Sequence, residues 1–162
     1  MDRNNHILMS MLLGIICTFM FAIAHAAEIS LETPVGYWKT IDDVTGKPKS
    51  IVQIWKTNDN ILMGKVVKIF SKNNHADQTK KCEACKGDLH GQPIVGMVIL
   101  SGLTAKQNQW KNGKILDPEN GKSYSCAMHT IDHGKKLDVR GFIGLSLLGR
   151  TQTWERVDLM SA

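Results

Sequence analysis

The chain has 162 residues, of which 43% are hydrophobic, and 20 Lys plus Arg stand against 15 Asp plus Glu, a formal net charge of +5. This length fits one domain with a substantial core, and the hydrophobic content excludes a disordered chain. The basic residues are scattered and do not interleave with aromatic ones, so a nucleic-acid partner is not expected and a surface for anionic lipid is not favoured.

The N-terminal segment has the three parts of a secretory signal peptide. Residues 1–6 carry an arginine, residues 7–23 are almost wholly apolar and uncharged, and Ala24-His25-Ala26 places small residues where signal peptidase cleaves. The apolar run is at the short limit for a bilayer-spanning helix. We therefore predict a signal peptide over residues 1–26 and one domain over residues 27–162. The mature protein is expected in the periplasm or outside the cell, with no stable membrane anchor.

The rest of the chain alternates short apolar and polar runs with turn residues, which predicts strands rather than helices. The first strand opens at Gly36-Tyr37-Trp38, the second covers Ser50–Thr57, and the third covers Ile61–Phe70. Turns are predicted at Thr45-Gly46-Lys47-Pro48 and Asn58-Asp59-Asn60. Further strands are predicted at residues 94–100, near Gln109 and Ile115, and at residues 124–128, 137–142 and 151–157.

Two Asn-Gly pairs, Asn112-Gly113 and Asn120-Gly121, have the residue types that tight hairpin turns favour. About eight or nine strands follow the signal peptide, and no helical period interrupts them. A sheet of this size removes its exposed edges by closing. The sequence therefore predicts an all-β fold, an antiparallel up-and-down β-barrel of about eight strands, with a two-sheet sandwich as the alternative.

Gly36-Tyr37-Trp38 at the start of the first strand resembles the lipocalin signature, in which a Gly-x-Trp tryptophan contacts a basic side chain from a late strand. The resemblance implies a structural role for Gly36 and Trp38 at the closed end of a barrel. It offers Arg140 or Arg150 as the cationic partner, with Arg156 as a third candidate.

A longer resemblance covers residues 35–157. The segments G-Y-W-K-T-I-D-D, W-K-N-G-K-I-L-D-P-E-N-G-K-S-Y-S-C and L-D-V-R-G-F-I-G-L-S-L-L-G-R-T-Q-T-W, with a C-x-x-C loop between them, are similar to the bacterial family called domain of unknown function 2147. The resemblance implies an exported, single-domain, lipocalin-like β-barrel. It carries no catalytic residue with it.

The long irregular segment 71–92 contains Cys82 and Cys85. In an oxidising compartment a structural disulfide between them is the favoured interpretation, with Cys126 as a buried free thiol. Three alternatives stay open: a redox-active pair, a metal site that adds His75, His90 and Cys126, and a longer bridge to Cys126 that would stabilise the fold more. No metal site is predicted.

The sequence contains no catalytic triad, phosphate-binding glycine loop or dinucleotide fingerprint, so we expect neither an enzyme nor a cofactor. The leading hypothesis is a module that binds a small apolar or amphipathic ligand in the barrel or at its mouth. The candidate lining residues are Trp38, Trp55, Met97, Phe142 and Trp154. The apolar, glycine-rich stretch Gly141–Gly149 is interpreted either as a lid or partner contact, or as a core-filling turn.

Two other functions remain open. A barrel filled by its own side chains would act through its surface, with residues 71–92 and 141–149 as the contact. A thiol or metal protein would instead use Cys82 and Cys85.

Overall fold

The computed structural model describes residues 33–70 and 77–158, so the predicted signal peptide and His75 lie outside the described residues. The eight strands are β1 (Gly36–Ile41), β2 (Pro48–Lys56), β3 (Leu62–Ile69), β4 (Val98–Lys106), β5 (Gln109–Asp117), β6 (Lys122–Ile131), β7 (Lys136–Phe142) and β8 (Gly149–Val157). Each strand pairs antiparallel with the next, and β8 pairs with β1 to close the barrel. The predicted up-and-down barrel is confirmed, and the sandwich alternative is wrong.

Alternation along the strands sends one set of side chains inward. Trp38 on β1 lies opposite Val52 on β2, and Cys126 on β6 lies opposite Gly141 on β7. Burial of these inward aliphatic and aromatic side chains provides the main stabilisation of the fold. In the described ranges, a single 3-10 turn at Gly87–Leu89 is the only helical element, and no helix is long and apolar enough to cross a membrane.

The two Asn-Gly pairs have different roles. Gly121 has φ +67° in the turn between β5 and β6, as predicted. Asn112-Gly113 instead lies inside β5 at an irregularity in its pairing with β6, so the prediction of a turn there is wrong. A Cβ at Gly113 would collide with the buried Leu103 side chain, so close packing is what requires this glycine. The preceding turn uses Gln107 and Asn108, both with positive φ.

The apolar run 94–100 is only partly a strand, because β4 begins at Val98. Ile94 and Met97 are buried in the loop before it. Gly96 N–H donates to the Val66 carbonyl, and Val66 N–H donates to the Met97 carbonyl, which fixes this loop beside β3. Hydrophobicity here reflects burial of an irregular segment and not a longer strand.

The strand order separates the turns into two groups at opposite ends of the barrel. One end, which we call the Trp38 end, carries the start of β1, the turns β2–β3, β4–β5 and β6–β7, and the end of β8. The other, which we call the loop end, carries the β1–β2, β3–β4, β5–β6 and β7–β8 connections. The longest of these connections lies between β3 and β4.

Candidate functional site

The Trp38 end is closed by a stacked cation. The guanidinium of Arg156 lies 4.3 Å from the centre of the Trp38 ring, and these residues are direct neighbours across the β1–β8 pair. Arg156 also donates to the carbonyls of Val35, Thr33 and Gly134 at 2.9, 2.5 and 2.6 Å. Partial burial lowers the pKa of Arg156.

The proposal of Arg140 or Arg150 as the partner of Trp38 is therefore wrong. Both residues lie at the opposite, loop end, because β7 and β8 carry them toward the connection between those strands. Gly36 leaves the space that Arg156 occupies in the stacked pair, since a Cβ there would lie 2.7 Å from Arg156 Nη1. Its φ of +138° also favours glycine.

The barrel interior is filled by its own side chains from the Trp38 end to its middle, while the inward-facing Ile115, Tyr124 and Gln152, nearer the loop end, are half-buried. Large inward residues have almost no surface accessible to water: Trp38, Val52, Ile54, Leu62, Leu100, Leu103, Met128 and Leu137 are 0–1% exposed. A cavity large enough for a ligand would leave its lining atoms accessible. Two surface clefts flank the Trp38 end, and neither is lined by a residue of this buried set.

The five candidate lining residues do not form one site. Trp38 and Trp154 are buried in the core, and Met97 is buried in the loop before β4. Trp55 alternates with the inward Ile54 and has Lys65 over its ring at 5.9 Å, so it lies on the outer face. Phe142 follows the inward Gly141 and is likewise on the outer face.

Residues 77–97, here called the disulfide arm, cover part of the loop end. Cys82 and Cys85 form the predicted disulfide, and both are buried in the same hydrophobic cluster as the barrel interior. The arm closes on itself through a bridge between Lys81 and Pro93 and through Cys82 N–H, which donates to the Gln92 carbonyl. It is a compact cap, and the disulfide is part of its core.

The arm lies against the turn between β5 and β6. Cys82 Sγ is 3.2 Å from the Pro118 carbonyl oxygen, and Gly121 directly faces the Ala84 carbonyl with no room for a Cβ. Glu119 in the same turn pairs with Lys49 of β2 at 2.7 Å and with Lys80 of the arm at 3.8 Å. Since β2 and the β5–β6 turn are not neighbours in the barrel, these contacts join separate parts of the loop end.

The third cysteine of the described residues takes no part in the disulfide. Cys126 is a free, buried thiol on the inner face of β6, as predicted, and burial raises its pKa to about 12. The longer bridge to Cys126 is therefore wrong for this structure. Because Cys82 and Cys85 are bonded to each other, they offer no thiolate to a metal. Within residues 33–70 and 77–158, no group of three His, Cys, Asp or Glu side chains converges.

The other part of the loop end is apolar and exposed. Side chains of the β7–β8 connection project outward, with exposed fractions of 67–86%, and Val44 of the β1–β2 connection is 92% exposed. We call this surface the apolar tip, and it consists of Val44, Ile143, Leu145, Leu147 and Leu148. The interpretation of Gly141–Gly149 as a core-filling turn is therefore wrong.

The β1–β2 connection beside this tip has a defined conformation. Asp42 accepts hydrogen bonds from the Thr45 hydroxyl at 2.8 Å and from the Thr45 N–H at 2.7 Å, and these bonds lower the pKa of Asp42. Asp43 pairs with Arg150 and accepts a hydrogen bond from Gln152 Nε2 at 2.8 Å. These contacts hold Val44 on a loop that is tied to the start of β8.

A closed eight-stranded up-and-down barrel, with an arginine stacked on the tryptophan of its first strand, is lipocalin-like in architecture. Residues 36–156 match the family model described as "Uncharacterized protein conserved in bacteria (DUF2147)", and the chain belongs to that family. The fold is also similar to the solved structure of HP1028 from the human pathogen Helicobacter pylori, which is described as belonging to the lipocalin family. That similarity has a TM-score of 0.68 at 20% identity, over 80% of this chain and 86% of the other. No curated protein matches this chain.

Proposed function

We propose that this protein is an exported binding module that holds a small amphipathic molecule at the loop end, against the apolar tip. The observation that carries the proposal is the combination of an interior filled from the Trp38 end to its middle with five exposed aliphatic side chains at the loop end. A ligand binds an apolar surface because contact removes apolar area of both from water. In this protein the exposed apolar side chains lie on the outside of the barrel.

Charged groups border the tip and suit an amphipathic ligand. Arg150 lies near the start of β8, beside the tip, and its side chain is 65% exposed. Arg140 lies near the end of β7, where the same connection begins. An acyl chain would contact the leucines while its carboxylate is attracted by a guanidinium. Long-chain fatty acids are therefore the class of small ligand that we propose.

The test is displacement of a naphthalene sulfonate dye by fatty acids from the folded mature protein. The variant Leu145→Ser/Leu147→Ser removes two exposed side chains and is expected to weaken binding by about tenfold or more, since each buried leucine contributes on the order of 2 kcal/mol. The matched control is Leu89→Ser, an exposed leucine on the disulfide arm 42% accessible to solvent. Equal affinity of the double variant and the wild type would contradict the proposal.

A second candidate function is contact with a partner in the cell envelope through the surface of the filled barrel. The observation that favours it is the compact arm, which is closed by its disulfide and by backbone hydrogen bonds and lies at the same end of the barrel as the tip. Retention of a partner by the wild type and by the tip variant, with loss after reduction of the arm, would support this function over ligand binding.

A further inference from the structure

The apolar tip combines features that suit a lipid bilayer surface. We propose that the tip inserts into the interfacial region of an anionic phospholipid bilayer, so that the protein docks there reversibly and with its loop end toward the lipid. This inference uses the surface on which the proposed function rests, but it names a different occupant for it. It concerns peripheral contact, not an anchor that spans the membrane.

The first observation is the shape and composition of the tip. Its side chains are aliphatic and project into solvent, and no charged residue interrupts the chain between Arg140 and Arg150. Projecting aliphatic side chains of this kind can enter the acyl boundary of a bilayer. Apolar burial of this type is the main driving force for interfacial binding.

The second observation is that three consecutive carbonyls of the β7–β8 connection, those of Leu145, Ser146 and Leu147, already accept hydrogen bonds. Arg140 donates through Nε and Nη2 to the Ser146 carbonyl at 2.9 and 2.6 Å, and through Nη2 to the Leu147 carbonyl at 3.3 Å. Leu148 N–H donates to the Leu145 carbonyl at 3.0 Å. Unpaired peptide groups are costly in a low-dielectric environment, so these bonds lower the cost of insertion.

The same bonds also fix the loop with its leucines outward. Arg140 Nη1 donates to Thr151 Oγ1 at 3.0 Å, which joins the guanidinium to β8 as well as to the loop. An apolar loop without such support would be free to fold back over the barrel. The exposed conformation is therefore held by specific contacts, and little ordering is needed when it meets a surface.

The third observation is the charge beside the tip. Arg140, Arg150 and Lys47 lie in or beside the two connections that carry the tip, with the carboxylates of Asp42 and Asp43, and Arg150 is paired with Asp43. The small cationic excess favours an anionic leaflet over a zwitterionic one, while the apolar contact carries most of the affinity. We therefore expect tighter binding to anionic vesicles than to zwitterionic ones. Added salt should reduce this difference, while the apolar part of the binding remains.

The experiment is flotation of the mature protein with vesicles of phosphatidylglycerol and phosphatidylcholine, compared with vesicles of phosphatidylcholine alone. The wild type and Leu89→Ser are expected to float with the anionic vesicles. Leu145→Ser/Leu147→Ser is expected to bind at least about tenfold more weakly, because it removes apolar area that would be buried in lipid. A urea unfolding curve shows whether the double variant is folded, as expected for two exposed positions.

The remaining outcomes separate this inference from the proposed function. Fatty-acid binding by a protein that does not float overturns the docking inference and leaves the proposed function standing. Flotation without fatty-acid binding supports the docking inference and overturns the proposed function. Equal flotation of the wild type and the tip variant overturns the inference. A dimer in sedimentation velocity that depends on the tip, without flotation, also overturns it, because the occupant would then be a second copy of the chain.

Discussion

Arg156 and Trp38 face each other across the strand pair that closes the barrel, with 4.3 Å between the guanidinium carbon and the ring centre. Because Arg156 also binds the carbonyls of Thr33, Val35 and Gly134, one side chain joins the first strand, the last strand and the β6–β7 turn. The contact closes the Trp38 end, and the binding site that we propose lies at the opposite end of the barrel.

Replacing Arg156 by alanine is expected to lower the free energy of unfolding by about 3 kcal/mol, from the lost stacking and the charge-assisted hydrogen bonds together. The matched control is Arg150→Ala, which removes an exposed arginine paired with Asp43 and is expected to cost less than about 1 kcal/mol. Urea unfolding measures both values. Equal losses for the two variants would show that the stacked position has no special role.

Gly121→Ala is expected to release the disulfide arm from the β5–β6 turn, because the new Cβ would occupy the position of the Ala84 carbonyl. Gly87→Ala is the control, since Gly87 has a similar positive φ of +59° and open space around it. We expect about 1 kcal/mol of destabilisation for the control from backbone strain, and at least about 2 kcal/mol more for Gly121→Ala. Thermal unfolding of the two variants gives the comparison, and similar values would contradict the close contact.

Removal of the disulfide by Cys82→Ala/Cys85→Ala is expected to cost about 2 kcal/mol on the chain-entropy estimate for a very small loop. Its main effect should be local, because the arm loses the link inside its own core. Amide exchange of residues 80–94 should therefore become faster, while exchange in β5–β7 changes little. Uniform acceleration across all strands would instead show that the arm supports the entire barrel.

The Cys126 thiol is expected to resist alkylation in the folded protein at pH 8 and to react fully in urea. Burial raises its pKa to about 12, above the ordinary value of 9.0, so the folded state retains the proton that the unfolded state loses. The contribution of the buried, protonated thiol to the free energy of unfolding is complete below pH 9 and is lost as the pH rises from 9 toward 12. Rapid labelling of the native protein at pH 8 would contradict this burial.

The signal peptide prediction has its own test, since residues 1–32 lie outside the described part of the chain. Protein that is exported through its own leader and purified gently should have the mass of a chain beginning at Ala27, less two hydrogens for one disulfide. Native mass spectrometry reads both features and any bound ligand together. A mass that retains residues 1–26 would show that the leader is not removed.

Local chemistry was enough to predict much of the architecture. Strands with period-two alternation, such as Leu137, Val139 and Gly141 on one face of β7, depend on neighbours along the chain and are confirmed by the register. The pairing of Cys82 with Cys85 was favoured because the predicted compartment is oxidising and because Cys126 shares a strand face with Tyr124 and Met128, where a buried free thiol would lie; the pairing is confirmed. Nothing local distinguishes Asn112-Gly113 from a hairpin turn, and only its position beside Leu103 reveals a packing role.

By itself the sequence determined the all-β class, because alternation and turn chemistry are local. It favoured a closed barrel of about eight antiparallel strands over a sandwich, and a Cys82–Cys85 disulfide with a buried Cys126 over the other uses of these cysteines. The tertiary structure decided which arginine meets Trp38, because register and direction around a closed barrel set which distant residues touch. It also decided that the interior is filled from the Trp38 end to its middle, while the leucines of the β7–β8 connection are exposed. An apolar run in a sequence specifies a preference for burial, but the space available around it determines whether that burial occurs within the chain or against something else.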